Sequence, residues 1–433
     1  MVKSTGERRP GAAPRLVHVS APAHQGGVTE LLAGLVPAQA ATGLSVGWAL
    51  VDGDSAFFAF TRYLRHLLHG AADSTTADRL AEGAQHYRSV LAAQAADLAA
   101  QMDPGDVVVL HDPQTLGMAP ALADAGLRVV WHCHAGTTEL DASGPAAIWR
   151  TFGPELSRVD AAVSMLPEFV PQAVPPARRH VIAPAVDPDS DRNRELSRND
   201  VDELLERLGL TAAGTGDTGQ VEQDQPLPDD APVVLQLSPW EPLEDLPGVL
   251  GCLATLPSDA HLVLAGNDPD EVPDNAEGRA VFDAVRELRA EMPPAQRARV
   301  HLVRLSTEDS ERAALTANAL QRRADVVLQK SLAEGLGLTV TEAMVKGRAV
   351  VAADVGGLRQ QVSPGHNGLL VDPRDHTEVV EALNLLLEDP LMRRRLGKHA
   401  AESVHRRYLM PRLVDDYQLF AAPGPLDRVR EVA

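Results

Sequence analysis

Only two cysteines, Cys133 and Cys252, occur in 433 residues, and they stand far apart. That excludes a disulfide framework and the close Cys spacing of a structural metal knuckle, and it points to a reducing, cytoplasmic setting. Lysine is almost as scarce, with four along the whole chain, and the 60 acidic residues outnumber the 40 basic ones to leave a formal charge of −20. A surface of that sign is a poor partner for nucleic acid or for an anionic membrane. No apolar run approaches the roughly 18–20 residues that a transmembrane helix needs. The opening stretch MVKSTGERRPGAAPR has charge, proline and glycine but no apolar centre, so residues 1–15 read as a disordered tail and not as a signal peptide.

What the sequence does have is alternation. Short β-branched or apolar runs at 16–20, 45–51, 107–111, 128–132 and 161–165 are bounded by turn residues, the pattern of strands buried on both faces. Between them, 27–39, 55–68 and 76–101 carry a helical period, and 199–208 reads as a further helix with Asn199 as its N-cap. Residues 211–230 (TAAGTGDTGQVEQDQPLPDD) hold almost no core-forming side chains and read as a linker or disordered insertion. Strand candidates then resume at 233–237, 261–265, 300–303, 324–328 and 349–352, again separated by helical stretches. Two consecutive arrays of this kind predict an α/β protein of two Rossmann-like, doubly wound domains, 16–210 and 231–405. Ligands of such domains lie at the carboxyl ends of the strands, so the expectation is two such edges facing across a cleft.

The densest chemistry lies in 329–347, QKSLAEGLGLTVTEAMVKG. Glu334 and Glu342 are separated by seven residues. Gly335 and Gly337 fall between them, and an apolar helical run follows a short buried-strand pattern. Strand, glycine loop and helix together bring backbone N–H groups and a helix N-terminus up to a phosphorylated ligand. Glu334 would lie in the loop facing that ligand, and Glu342 about one turn inside the helix, where a carboxylate can accept from sugar hydroxyls. The plain structural alternative is an ordinary βα turn with both glutamates in solvent.

This segment resembles the E-x7-E region of retaining family-four glycosyltransferases, which have the GT-B fold. The chain is especially similar to the trehalose-forming glycosyltransferring synthases and their actinobacterial relatives. The similarity extends from about His18 to Tyr408 and includes HQGGVTELLAGLVP (24–37), HDPQ (111–114), WHCH (131–134), PAVDPDSDRNREL (184–196) and HLVLAG (261–266). The resemblance implies a transferase that moves a sugar from a nucleotide-sugar donor to a small-molecule or sugar acceptor with α-linkage, with no metal and no other cofactor. Glu334 would contact the donor sugar as a catalytic residue and Glu342 the ribose. Gly335, Leu336 and Gly337 would bring N–H groups to the sugar and distal phosphate, and the Gly26–Gly27 loop would cap the phosphates. His134 corresponds to a histidine near the reacting centre. His111, Asp112 and Asp52 would line the acceptor side. The closing helix, within 406–433, would cross back to the first domain. The partners expected are a small-molecule sugar donor and acceptor, with a homodimer as a further expectation.

One part of the pattern is broken. Relatives carry a serine–arginine pair after the first strand of the second domain and a lysine a few residues on, which together clamp the donor phosphates. Here the stretch is SPWEPLEDLPGVL (238–250), with Pro239 in place of the arginine and Glu244 in place of the lysine. A charge-assisted hydrogen bond to phosphate contributes ~1.5–3 kcal/mol. Losing two therefore removes on the order of 10² to 10⁴ in affinity or rate, and Glu244 would add repulsion. Lys330 and Arg304 are the candidate substitutes. Three readings follow: an ordinary transferase, a pseudo-glycosyltransferase or altered transferase with an unusual donor, and a non-catalytic sugar- or nucleotide-binding protein.

Overall fold

The computed structural model describes residues 3–4, 14–22, 28–139, 142–211, 220–257, 259–273 and 275–421. They form two compact units, Met1–Ala185 with Met410–Ala433, and Val186–Leu409.

The first unit holds a seven-stranded sheet: β1 (Lys3–Ser4), β2 (Leu16–Ser20), β3 (Val46–Leu50), β4 (Val107–His111), β5 (Arg128–Cys133), β6 (Ala161–Ser164) and β7 (Arg179–Val181). Their order is β1-β3-β2-β4-β5-β6-β7, parallel except for β1 against β3. Strands 2, 4 and 6 are buried at every position because helices cover the sheet, which is why they read as continuous apolar runs without alternation. Chain order reverses between β2 and β4, a topological switch point. The Met410–Ala421 helix belongs to this unit.

In the second unit lie β8 (Val221–Glu222), β9 (Val233–Leu237), β10 (His261–Asn267), β11 (Val300–Leu305), β12 (Val326–Gln329), β13 (Ala349–Ala353) and β14 (Leu369–Val371). They are ordered β14-β13-β12-β9-β10-β11-β8, parallel except for β8 against β11. Its switch point lies between β9 and β12.

Three details differ from the sequence reading. The stretch expected to be a linker or disordered insertion is in part sheet: β8 pairs with β11, Leu227 is fully buried, and Thr211 bridges Leu227, while 212–219 lie outside the described residues. The units divide at 185/186 and not near 210, so the Arg198–Leu208 helix belongs to the second unit. That helix starts from Ser197, whose hydroxyl accepts the Asp200 N–H while Asp200 accepts the Ser197 N–H, a reciprocal capping box that Asn199 cannot make from inside the first turn.

Candidate active site

At the switch point of the second unit, β12 ends in Gln329 and the chain turns through 330–337 into the Leu338–Val345 helix. Gly337 caps that helix with φ +59°, a left-handed conformation. A Cβ there would stand 2.5 Å from Leu358 Cδ2 and 3.0 Å from Gln361 Nε2. Gly337→Ala is therefore expected to cost about 2–3 kcal/mol, since the left-handed backbone alone costs ~1–2 kcal/mol for a residue with a side chain. Thermal unfolding would show it as a fall of several degrees, with donor-nucleotide affinity falling alongside.

Within the loop, Glu334 Oε1 accepts the N–H groups of Gly335 (3.0 Å) and Gly337 (3.3 Å), and Ser331 Oγ lies 3.4 Å from Oε2. The Glu334 carbonyl accepts the Gly357 N–H at 3.3 Å, so the Gly356–Gly357 turn after β13 abuts it. The Leu336 carbonyl is held by Gln361 Nε2, whose Oε1 accepts from Thr341. Glu342 is buried, and Arg192 Nε lies 3.0 and 3.1 Å from its two oxygens. Arg192 was missed by the sequence reading: its segment carried the resemblance, but nothing local says that it meets a glutamate 150 residues away.

The broken clamp looks different in three dimensions. Glu244 does not project towards a ligand. It is buried at 5 % exposure, and its Oε2 accepts from Gln329 Nε2 (2.7 Å) and Ser331 Oγ (2.9 Å). The expected repulsion is thus replaced by an anchoring role beneath the E-x7-E loop. Pro239 is exposed at the end of β9. Of the two candidate substitute cations, Lys330 is paired with Asp245 and nearly fully buried, and Arg304 reaches Asp268 at 3.2 Å from two strands further along the sheet. Neither stands as an uncommitted cation beside Pro239.

In the first unit a small pocket opens at the ends of β2 and β4, lined by Ser20, Ala21, Thr29, His111, Asp112 and Gln114 among others. This too is a switch point. Gln114 Oε1 is buried there without a partner among the described residues. Asp112 takes the positive φ of 61° that aspartate tolerates better than most residues. The surroundings over-determine it: its N–H donates to the His132 carbonyl (2.8 Å), its carbonyl accepts from Trp131 Nε1 (3.0 Å), and its Oδ1 accepts the His134 N–H (2.7 Å). Asp52 is exposed, caps Gly53 and bonds Gln94 through its backbone, so it is not part of this pocket. Gly26 and Gly27 lie outside the described residues.

Behind the pocket runs a chain of buried polar rings. Gln39 Oε1 lies 3.0 Å from His18 Nε2, His18 Nδ1 lies 2.9 Å from His111 Nε2, and His111 Nδ1 lies 3.0 Å from His134 Nε2. His132 stacks on His134 with centroids 4.0 Å apart, and its Nδ1 bonds the Tyr417 hydroxyl. Burial pushes His18 down to about 4 and holds His111, His132 and His134 below the usual imidazole range, so all four are neutral at pH 7. One ring nitrogen from each of His111, His132 and His134 lies within 4.8 Å of the others, a spacing a metal ion could draw together. His111 Nδ1 and His134 Nε2 lie 3.0 Å apart, at hydrogen-bond distance, with their rings nearly parallel (5°).

Two parallel, doubly wound units, each with a polar site at its switch point, are the frame of a GT-B glycosyltransferase. Solved GT-B structures share the fold: an α,α-trehalose-phosphate synthase (UDP-forming) from Burkholderia xenovorans in complex with glucose-6-phosphate (TM-score 0.70, 15 % identity, 94 % of this chain and 99 % of that one) and Anabaena HepE in complex with UDP-glucose (TM-score 0.63, 16 % identity, 93 % and 99 %). Residues 18–171 match the model of the trehalose synthase N-terminal domain, and residues 315–403 match that of glycosyl transferases group 1. The trehalose synthase of Rubrobacter xylanophilus is 32 % identical over 94 % of this chain and 90 % of its own length, and that of Pyrococcus horikoshii 27 % over 93 % and 88 %. The chain belongs to the trehalose synthase family of glycosyltransferases. No helix among the described residues is long and apolar enough to cross a membrane.

Proposed function

We propose that this glycosyltransferase is a retaining enzyme that takes a hexosyl group from a nucleoside-diphosphate sugar and delivers it to a sugar hydroxyl, forming an α-linkage as in trehalose. The observation that carries the reading is the Glu334–Gly337 loop at the switch point of the second unit. Glu334 is oriented by two backbone donors on Oε1, and a carboxylate held in this way can accept from a donor-sugar hydroxyl. Glu342, fixed by Arg192, is set to accept from ribose. Acceptor hydroxyls would be read by Asp112 and by the unpartnered carbonyl of Gln114 in the pocket of the first unit, with His134 beside them through its contacts to His111 and Asp112.

The phosphate charge still needs a counterpart. Arg192 is the cation beside Glu342, and in this reading it takes over what the residues at 239 and 244 no longer supply. Chemistry then depends on stabilising the leaving diphosphate and on holding the acceptor oxygen near the anomeric carbon. Calorimetric titration with UDP, GDP, ADP and TDP tests this. One nucleotide is expected to bind at micromolar strength, and Arg192→Ala to weaken it about 10- to 100-fold, the value of one charge-assisted bond. Failure of all four nucleotides to bind would overturn the nucleoside-diphosphate donor.

A further inference from the structure

The buried chain Gln39–His18–His111–His134 has a polarity, and its direction is set at the end remote from the pocket. Each link is a short contact between side-chain polar atoms, 3.0, 2.9 and 3.0 Å in turn, and the three histidines are neutral. A neutral imidazole donates through one nitrogen and accepts through the other, so fixing one link fixes the next. The Gln39 carbonyl can only accept. His18 therefore carries its proton on Nε2 and accepts on Nδ1. His111 then donates from Nε2 and accepts on Nδ1, and His134 donates from Nε2. The lone pair of the last ring is left on His134 Nδ1, which is buried and has no partner among the described residues.

We propose that Gln39 and His18 are positioning residues that act through His111 to hold His134 as its Nε2–H tautomer, so that Nδ1 stands ready as a hydrogen-bond and proton acceptor. The inference of a catalytic use rests on the acceptor-side reading of His134 given above. Four features support it. The members are 0–4 % exposed and come from the Val28–Ala41 helix, β2, β4 and the end of β5, so the chain crosses the sheet at its switch point. A buried polar row of this length is costly unless its bonds are made; every link from Gln39 Oε1 to His134 Nε2 is made, and Gln39 Nε2 is left as a buried donor without a partner among the described residues. A single orphan acceptor remains on the last ring, at a cost of ~1–3 kcal/mol that a ligand hydroxyl would remove. Gln39 also ends the chain with an amide, which accepts a hydrogen bond but is no proton sink. A proton taken up at His134 therefore cannot leave at the far end, and the polarity does not invert. Around His134 stand Asp112, whose carboxylate favours the protonated ring, and His132 with Tyr417 packed behind it, both neutral.

The test is the ¹⁵N NMR spectrum of histidine-labelled full-length protein, with the His134 signals assigned by their loss in His134→Gln. The expected result is a protonated Nε2 and an unprotonated Nδ1 from pH 6 to 8. Gln39→Leu should convert His134 to a tautomer mixture and lower kcat about tenfold or more with donor KM unchanged, while Gln39→Glu, which keeps an acceptor in place, should restore the tautomer. The carboxylate that Gln39→Glu introduces would also stabilise protonated imidazole along the chain, so the acid limb of the kcat profile should move to higher pH in that variant. A proton on His134 Nδ1 in the unaltered protein, or a tautomer indifferent to Gln39→Leu, overturns the proposal. The expected tautomers in a protein that shows no transfer to any sugar acceptor would uphold the chain and instead remove the acceptor-side reading.

Discussion

Glu334→Ala is expected to lower kcat/KM by about 10² to 10⁴ while leaving the protein folded. In the proposed reading the carboxylate accepts two charge-assisted hydrogen bonds from the donor sugar, each contributing ~1.5–3 kcal/mol, and the alanine cannot accept them. The substitution also has a cost to stability, because the Gly335 and Gly337 N–H groups that Glu334 caps belong to buried residues, and each costs ~1–3 kcal/mol when left without an acceptor. Glu334→Gln separates the two effects. The amide oxygen still caps both glycines, so unfolding should match the unaltered protein, and the remaining loss of activity measures the charge. Steady-state kinetics together with a thermal melt decide it. An alanine variant with unchanged kcat/KM would remove Glu334 from the reaction.

Glu244→Lys carries the second large effect, and here the structure reverses an argument from sequence. By resemblance, a lysine at this position would restore a phosphate clamp and improve donor binding. In the folded protein Glu244 points inward and holds Gln329 and Ser331, the residues on which the E-x7-E loop is mounted. A lysine there would bury an ammonium group in place of the carboxylate that Gln329 Nε2 and Ser331 Oγ share. Breaking a buried pairing in this way costs ~3–5 kcal/mol. For a unit of this size that is a fall in Tm of about 10 °C, at roughly 2–4 °C per kcal/mol. Pro239→Arg is different, because position 239 is exposed and the arginine can be accommodated. Nucleotide titration of the single variants should show a gain, if any, from Pro239→Arg alone. A Glu244→Lys protein with native Tm and tighter nucleotide binding would restore the clamp argument.

The two predictions concern residues from distant parts of the chain that support the same loop, yet their legibility in the sequence differs. Glu334 and its glycines are local: a carboxylate, two glycines and a helix start within a few residues, and such a motif shows its chemistry in one dimension. The same holds for the strands. Val107–His111 and Val233–Leu237 are apolar at nearly every position because both faces of a parallel sheet are covered, so their identity survives without any knowledge of their neighbours. Glu244 is the opposite case. Its sign alone suggested repulsion, and its orientation is set by Gln329 and Ser331, some 85 residues further on. The stretch 220–230 was misread for a related reason. A two-residue edge strand has too few side chains to show a period, and only pairing with β11 defines it.

The sequence by itself determined the class of fold, the two-domain count, the E-x7-E loop and the family, since each is carried by residues close together in the chain or by many matches in order. Tertiary structure alone decided which strand ends become the switch points, that Arg192 meets Glu342, that Lys330 is spent on Asp245, and that residues 39, 18, 111 and 134 form one hydrogen-bonded row. Strand order and long-range side-chain pairing are settled by how helices and sheets close-pack, and spacing along the chain does not encode the partner that a buried polar group finds once water has been excluded.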